Sequence, residues 1–272
     1  MEIFGFDAFS PAEIFAKVET VGVTKARLPV GSMLMLSVLA GAFIGMGALY
    51  YVLVVSDPTL GFAARQVLGG AAFSSGLLMV VVAGAELFTG NNLLIMARAA
   101  GKITTLELLR SWLIVFCGNF VGALGLACLV VLSNHPASNQ GAVALQYVQI
   151  ATAKTALPFV HAFFSGVLCN SLVCIAIWMA IAGRSVVDKA VAILFPISAF
   201  VAAGFEHSVA NMYLIPMGIL IQATGGAEGS APVLWSGLVA NLIPVVLGNI
   251  VGGSMFVGVV FHVIYRRPPA PK

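Results

Sequence analysis

Residues 28–56 contain no charged side chain, and no other feature constrains the chain so tightly. A bilayer core takes roughly 20 apolar residues of helix to cross, so this stretch reads as a membrane span. Only 8% of the residues are charged and 60% are hydrophobic, with a mean hydropathy of +1.06, too little polarity to cover a soluble domain. The same criterion places span two at 66–97, interrupted by Glu86, and span three within 111–132, ahead of the polar loop "SNHPASNQG". Span four is expected at 156–182, span five at 190–221, interrupted by Glu206, and span six at 232–265. The expected organisation is an N-terminal segment 1–27, one six-span membrane domain 28–265 and a short tail 266–272. A net charge of +3 on so few charges reflects the loops and carries no reading toward nucleic acid. Cys117, Cys128, Cys169 and Cys174 all fall in apolar segments without a CxxC pair and read as small core residues. No short apolar leader with a cleavage site opens the chain, so no signal peptide is expected.

Before span one, Ser10, Pro11 and Glu13 form a capping-box start, followed by Ile14, Phe15, Val18 and Val21 at helical spacing. A short amphipathic helix is expected there, either lying on the membrane surface or packed on a neighbouring subunit. Of the 13 Lys and Arg residues, only Arg65 and Lys154 fall in the loops opposite the termini. That bias puts both termini on the cytoplasmic side.

The chain also repeats itself. At an offset of 120, Ala83, Gly84, Glu86, Asn91, Leu94 and Ile95 recur as Ala203, Gly204, Glu206, Asn211, Leu214 and Ile215. "GNFVG" at 118–122 is echoed by "GNIVG" at 248–252. Three spans per copy is an odd number, so the second copy must enter from the opposite face, and an inverted repeat follows. The expected fold is all-α, with six transmembrane helices in which helices two and five are broken at "GAELFTGN" and "GFEHSVAN". Irregular backbone at that depth survives only when buried in protein or lining a watery cavity, and two matched breaks point to a transport path more than to close helix packing.

His207 follows Glu206 inside the second break. Histidine changes charge near neutral pH and is costly at bilayer depth, so it is the leading functional candidate. Glu86 and Glu206 either line the path, where they would favour a cation, or turn away and accept hydrogen bonds from backbone N–H groups at the broken turns; the second role is the expected one. Asn91, Asn119, Asn170, Asn211 and Asn249 lie inside spans and are expected mostly to bond between helices. Thr89, with Leu87 and Phe88, sits on the first break as a candidate movable constriction. Phe73, Leu77 and Phe200 precede the breaks and read first as packing. Lys154 could draw anions to an entrance or be a plain solvated lysine. No nucleophile–base set, metal spacing or cofactor motif is present in the sequence, so neither an enzyme nor a bound cofactor is expected.

"GFEHSVANMYLIPMG" at 204–218 together with "GAELFTGN" at 84–91 resembles the formate/nitrite transporter family, and "LPVGSMLMLSVLAGAFIG", "GNFVGALG", "AIWMAIAGRSVVDKA" and "GNIVGG" extend the resemblance along essentially the whole chain. The resemblance implies a homopentamer of aquaporin-like protomers in a bacterial inner membrane, each with its own pore. It implies that His207 is the central pore histidine, with Thr89 on the breaking loop and Leu87 and Phe88 at a cytoplasmic slit. It further implies that Phe73, Leu77 and Phe200 form an apolar periplasmic constriction, that Lys154 is the vestibule lysine, and that Asn170 and Asn249 lie near the central chamber. Glu86 departs from the aspartate of the formate branch.

An ionised carboxylate costs tens of kcal/mol to move into an apolar medium by the Born estimate, so a greasy constriction should stop formate and pass formic acid. The expected mechanism has Lys154 and the positive ends of the half-helices drawing the anion in and His207 giving it a proton or a strong hydrogen bond, with proton coupling at low pH. Formate is the expected substrate, with nitrite and hydrosulfide as runners-up. A cation-coupled carrier using Glu86 and Glu206, and an inert anchor for a respiratory enzyme, are the competing classes.

Overall fold

The computed structural model describes residues 7–266. All of the expected tail at 266–272 except Arg266 lies outside the described residues, as does the start of the N-terminal segment. Among the described residues the fold is all-helical, with one isolated bridge between Ala8 and Gly183. Five helices are long and apolar enough to cross a membrane: α2 (Val30–Val55), α3 (Phe62–Ala83), α5 (Thr105–Leu132), α7 (Phe159–Ala182) and the continuous rod Trp235–Tyr265.

The first helix, α1 (Pro11–Ala26), starts where its chemistry requires. Ser10 Oγ accepts the Glu13 N–H while Glu13 Oε2 accepts the Ser10 N–H at 2.8 Å, so the capping box closes in both directions. α1 packs its buried Ile14 and Val18 beneath the membrane helices and touches the last described helix through Phe15 and Tyr265. The two described ends therefore share one face, here the terminal face.

The sequence segment 66–97 resolves into α3, an irregular stretch at 84–89, a 3₁₀ turn (Gly90–Leu94) and the short α4 (Ile95–Ala99). Segment 190–221 resolves into α8 (Val186–Ala202), an irregular stretch at 203–207 and α9 (Ser208–Ala223). Each irregular stretch has a glycine in the left-handed region at or next to its start, Gly84 at φ 69° and Gly204 at φ 73°, where a side chain would be strained. The last rod is α10 (Trp235–Ile250), a π-helical segment (Val251–Val259) and α11 (Val260–Tyr265). The sequence showed no sign of that π-helix.

One further helix was not expected: α6 (Ala142–Thr155), between the polar loop that ends at Gly141 and span four. At an offset of 129 it aligns with α1, setting Lys154 against Lys25 and Ile150 against Val21. The repeat unit is thus four elements, a short flanking helix plus three spans. The glycine motifs supply its closest contacts. A methyl group on Gly122 would overlap the Val38 carbonyl, and one on Gly252 would overlap the Val167 carbonyl. These contacts press α5 onto α2 and the last rod onto α7, which leaves each asparagine between the motif glycines facing a break.

Candidate functional site

Asn119 and Asn249 hold the two breaks in matching ways. Asn119 Nδ2 donates to the carbonyls of Ser37 (2.7 Å) and Glu86 (2.9 Å), and its Oδ1 accepts the Phe88 N–H at 2.9 Å. Asn249 Nδ2 donates to the carbonyls of Gly166 (2.9 Å) and Glu206 (3.0 Å), and its Oδ1 accepts the Ser208 N–H at 3.0 Å. Two backbone groups at each break, the Glu86 carbonyl and Phe88 N–H at the first and the Glu206 carbonyl and Ser208 N–H at the second, thereby gain protein partners. Asn170 adds a third tie: its Nδ2 reaches the carbonyls of Asn249 (2.7 Å) and Thr89 (3.2 Å). Asn119, Asn170 and Asn249 thus each tie backbone carbonyls across elements.

The glutamates do not take the expected partners. One backbone N–H at each break goes to an asparagine and those of Glu86 and Glu206 go to the Leu36 carbonyl and Ser165 Oγ, whereas the two carboxylates, 2% exposed each, are paired with lysines. Glu86 Oε1 lies 2.9 Å from Lys25 Nζ and its Oε2 accepts from Asn91 Nδ2 at 2.7 Å. Glu206 Oε1 lies 2.6 Å from Lys154 Nζ and its Oε2 accepts from Asn211 Nδ2 at 2.6 Å. A carboxylate at this depth requires a compensating cation, and each flanking helix delivers one from its last turn. Lys154 is thus an ion-paired residue, not a freely solvated one. Lys25 was read only as a topology charge. Extending the repeat at offset 129 would have revealed it, because it falls opposite Lys154. Asn241 was also missed; it ties Asn211 Nδ2 (2.7 Å) to the Lys154 carbonyl (2.9 Å).

The two breaks meet at one hydrogen bond, 2.9 Å between Thr89 Oγ1 and His207 Nε2. His207 is also the N-cap of α9, its Nδ1 accepting the Ala210 N–H at 3.0 Å. Ser, Thr, Asp and Asn cap helices better, so capping alone does not account for an imidazole here. An acceptor at Nδ1 places the proton of the neutral ring on Nε2, which therefore donates toward Thr89 and leaves the threonine hydroxyl its own hydrogen to offer. The Phe200 ring stacks on the imidazole at 5.9 Å between centroids, and Phe73 meets Phe200 edge-on at 5.7 Å. Leu77, one turn beyond Phe73 on α3, is buried in the same core.

Cavities lie on both sides of this contact. On the face away from the termini, a space of about 60 Å³ is lined by Phe73, Phe200, His207, Lys154 and Asn211, among others. On the terminal side, one of about 280 Å³ is lined by Leu87, Asn91, Lys25, Val80 and Val81, among others. At offset 120, Val80, Val81, Leu87 and Asn91 are the repeat partners of Phe200, Val201, His207 and Asn211. Phe88, by contrast, turns into packing against Phe116 (5.3 Å) and Trp112 (6.4 Å), and Trp112 Nε1 braces the Asn91 carbonyl at 2.9 Å.

Two lysine-lined cavities, one of them walled by the imidazole and two phenyl rings, thus lie inside one helical body of membrane-spanning length. The formate/nitrite transporter model matches residues 12–263, and the chain belongs to that family. It is 40% identical to formate channel FocA of Escherichia coli K12, covering 96% of each chain, and 38% identical to formate channel FocA of Haemophilus influenzae, covering 93% of each. Among solved structures it resembles a pentameric formate channel with formate bound at a TM-score of 0.82 and 36% identity, covering 88% of this chain and 98% of that one. An FNT family ion channel matches at a TM-score of 0.81 and 31% identity, covering 94% and 99%.

Proposed function

We propose that this protein is a channel for small monovalent anions of weak acids, formate foremost, and that the anion crosses one protomer between the two lysine-bearing cavities. The observation that carries the reading is the Thr89–His207 hydrogen bond, which joins the two breaks between those cavities. Under this reading the six-span plan holds, with the second and fifth crossings interrupted in an aquaporin-like arrangement, and the membrane domain runs over 28–265. The terminal face is cytoplasmic and the membrane is a bacterial inner membrane, in keeping with the lysine and arginine bias. The assembly is a homopentamer, as in the solved formate channel it resembles.

In this mechanism Lys154 or Lys25 attracts the anion into its cavity, and the Phe73, Leu77 and Phe200 constriction then strips its water. Loss of water disfavours the charged form, so the proton affinity of the solute rises as it enters. Nε2–H of His207 and the Thr89 hydroxyl are the two donors that meet it between the gates, and Leu87 lines the exit toward the inner cavity. Giving up the Nε2 proton would require protonating Nδ1 and breaking the Ala210 cap, so hydrogen bonding by the neutral ring is the resting role, and proton coupling grows at low pH. Ion pairing of both glutamates with lysines favours this reading over a cation-coupled carrier, which would need free acids on the path. Nitrite and hydrosulfide share the relevant chemistry. Side-by-side flux of formate, nitrite and hydrosulfide into proteoliposomes across a pH series tests the reading. Formate is expected to be fastest, and absence of flux for all three would refute it.

A further inference from the structure

The two cavities match residue for residue, but what surrounds them does not. Beside the inner cavity lies a second space of about 570 Å³ that shares Val21, Val81, Ile177 and Ile181 with it. Three cations line this outer space, Lys17, Arg184 and Lys189, together with Phe9. The Phe9 ring gathers two of them: Lys17 Nζ sits 4.0 Å and the Arg184 guanidinium carbon 4.2 Å from its centroid. Phe9 is held in turn by its N–H, which donates to the Ala182 carbonyl at 3.0 Å. Two carboxylates stand nearby, and each has an oxygen committed to a helix start. Glu13 Oε2 accepts the Ser10 N–H, and Asp188 Oδ2 accepts the N–H groups of Ser185 (2.8 Å) and Arg184 (3.0 Å).

The repeat shows that this arrangement belongs to one side only. Lys25 has its counterpart in Lys154, but Lys17 falls opposite Gln146 at the same offset, and at offset 120 Arg184 and Lys189 fall opposite Ala64 and Gly69, leaving Arg65 as a single cation there. Topology alone accounts for cations on a cytoplasmic face. It does not account for three of them converging on one cavity that shares a wall with the conduction path.

We propose that Lys17, Arg184 and Lys189 form a capture site for the permeating anion at the cytoplasmic mouth, a collar that concentrates small carboxylates ahead of the Lys25 cavity. The inference rests on the anion-channel reading above and adds to it a dependence on ionic strength from one side. Charges lining a cleft raise the local concentration of counter-charged solute, and salt screens the effect over a Debye length of about 10 Å at 0.1 M. Microscopic reversibility requires that a collar at one mouth change permeability at low solute concentration equally in both directions, so the sidedness appears in the salt response.

The test is formate permeability in oriented membrane vesicles, with formate at low concentration and an impermeant electrolyte added to one face at a time. In the wild-type protein, electrolyte on the cytoplasmic face should lower permeability roughly threefold, and the same addition on the opposite face should have little effect. The double variant Lys17→Gln/Lys189→Gln should start roughly threefold lower and lose the cytoplasmic salt response, while Lys17→Arg/Lys189→Arg should keep both. A double Gln variant that matches the wild type at low salt, or that is slower yet keeps the full salt response, would overturn the collar while leaving the channel reading intact. A wild-type protein that passes no anion would overturn both.

Discussion

Replacing Asn249 with alanine is the sharpest probe of how the second break is held. The side chain is fully buried and satisfies three backbone groups, the Ser208 N–H and the carbonyls of Gly166 and Glu206. A buried group left without a partner costs about 1–3 kcal/mol, whereas hydrogen bonds between membrane helices average nearer 0.6 kcal/mol in double-mutant cycles. The lower scale sets the floor at about 2 kcal/mol for three bonds, and the two groups left without a partner, the Ser208 N–H and the Glu206 carbonyl, set a ceiling of about 6 kcal/mol, because the Gly166 carbonyl lies inside α7. For a chain of this size each kcal/mol moves the midpoint by about 2–4 °C, so thermal unfolding of the purified variant in detergent should come about 4 °C or more early. Asn119→Ala removes the matching three bonds from the first break and should behave alike. Asn249→Asp should fare no better, because it keeps the acceptor for Ser208 but points a carboxylate oxygen at two carbonyls. A midpoint within about 1 °C of wild type for Asn249→Ala would refute the idea that these amides sustain the breaks.

Two other perturbations follow from the same geometry. Gly204→Ala puts a Cβ at φ 73° and should cost about 1–2 kcal/mol although nothing crowds the position, whereas Gly61→Ala, equally uncrowded but at negative φ, should be close to neutral; equal midpoints for the two variants would contradict the backbone argument. The Glu13 carboxyl is held below its ordinary 4.5, first by the Ser10 N–H and then by the Ser10 hydroxyl. Its folded value is lowered, so its contribution to anchoring α1 is fully present above about pH 4.5 and is lost as pH falls through the lowered value. Protease protection of α1 should therefore weaken on acidification below about pH 4 in wild type and change less in Glu13→Gln; identical profiles would exclude that role.

Much of this design was visible in the residues because it depends on local chemistry repeated twice. Glycines at 84 and 204, acids two residues later and amides five beyond those are too costly at bilayer depth to recur by chance, and they located both breaks. Ser10 and Glu13 marked the start of α1 for the same reason. Helix α6 was illegible because it lacks such a mark: its N-cap is Gly141 with no side-chain cap. The π-helix at Val251–Val259 depends on how Gly252 and Gly253 meet α7 and the first break, contacts between residues far apart in the chain. The partners of Glu86 and Glu206 were misread for a related reason. Lys25 is 61 positions from Glu86, and nothing near either glutamate in the chain shows that a flanking helix brings it a cation while an asparagine takes the backbone.

The claim on which the account turns is that the His207 ring meets the passing anion. His207→Asn isolates it, because asparagine is a favoured N-cap and can keep the Ala210 N–H satisfied while the imidazole is removed. Formate flux into proteoliposomes should be measured for wild type and variant between about pH 5 and pH 8. A hydrogen bond to a charged group is worth about 1.5–3 kcal/mol, so the account predicts a change of about tenfold or more at one end of that range and a flattened profile. Flux and pH response indistinguishable from wild type, in a variant that unfolds at the same temperature, would contradict it.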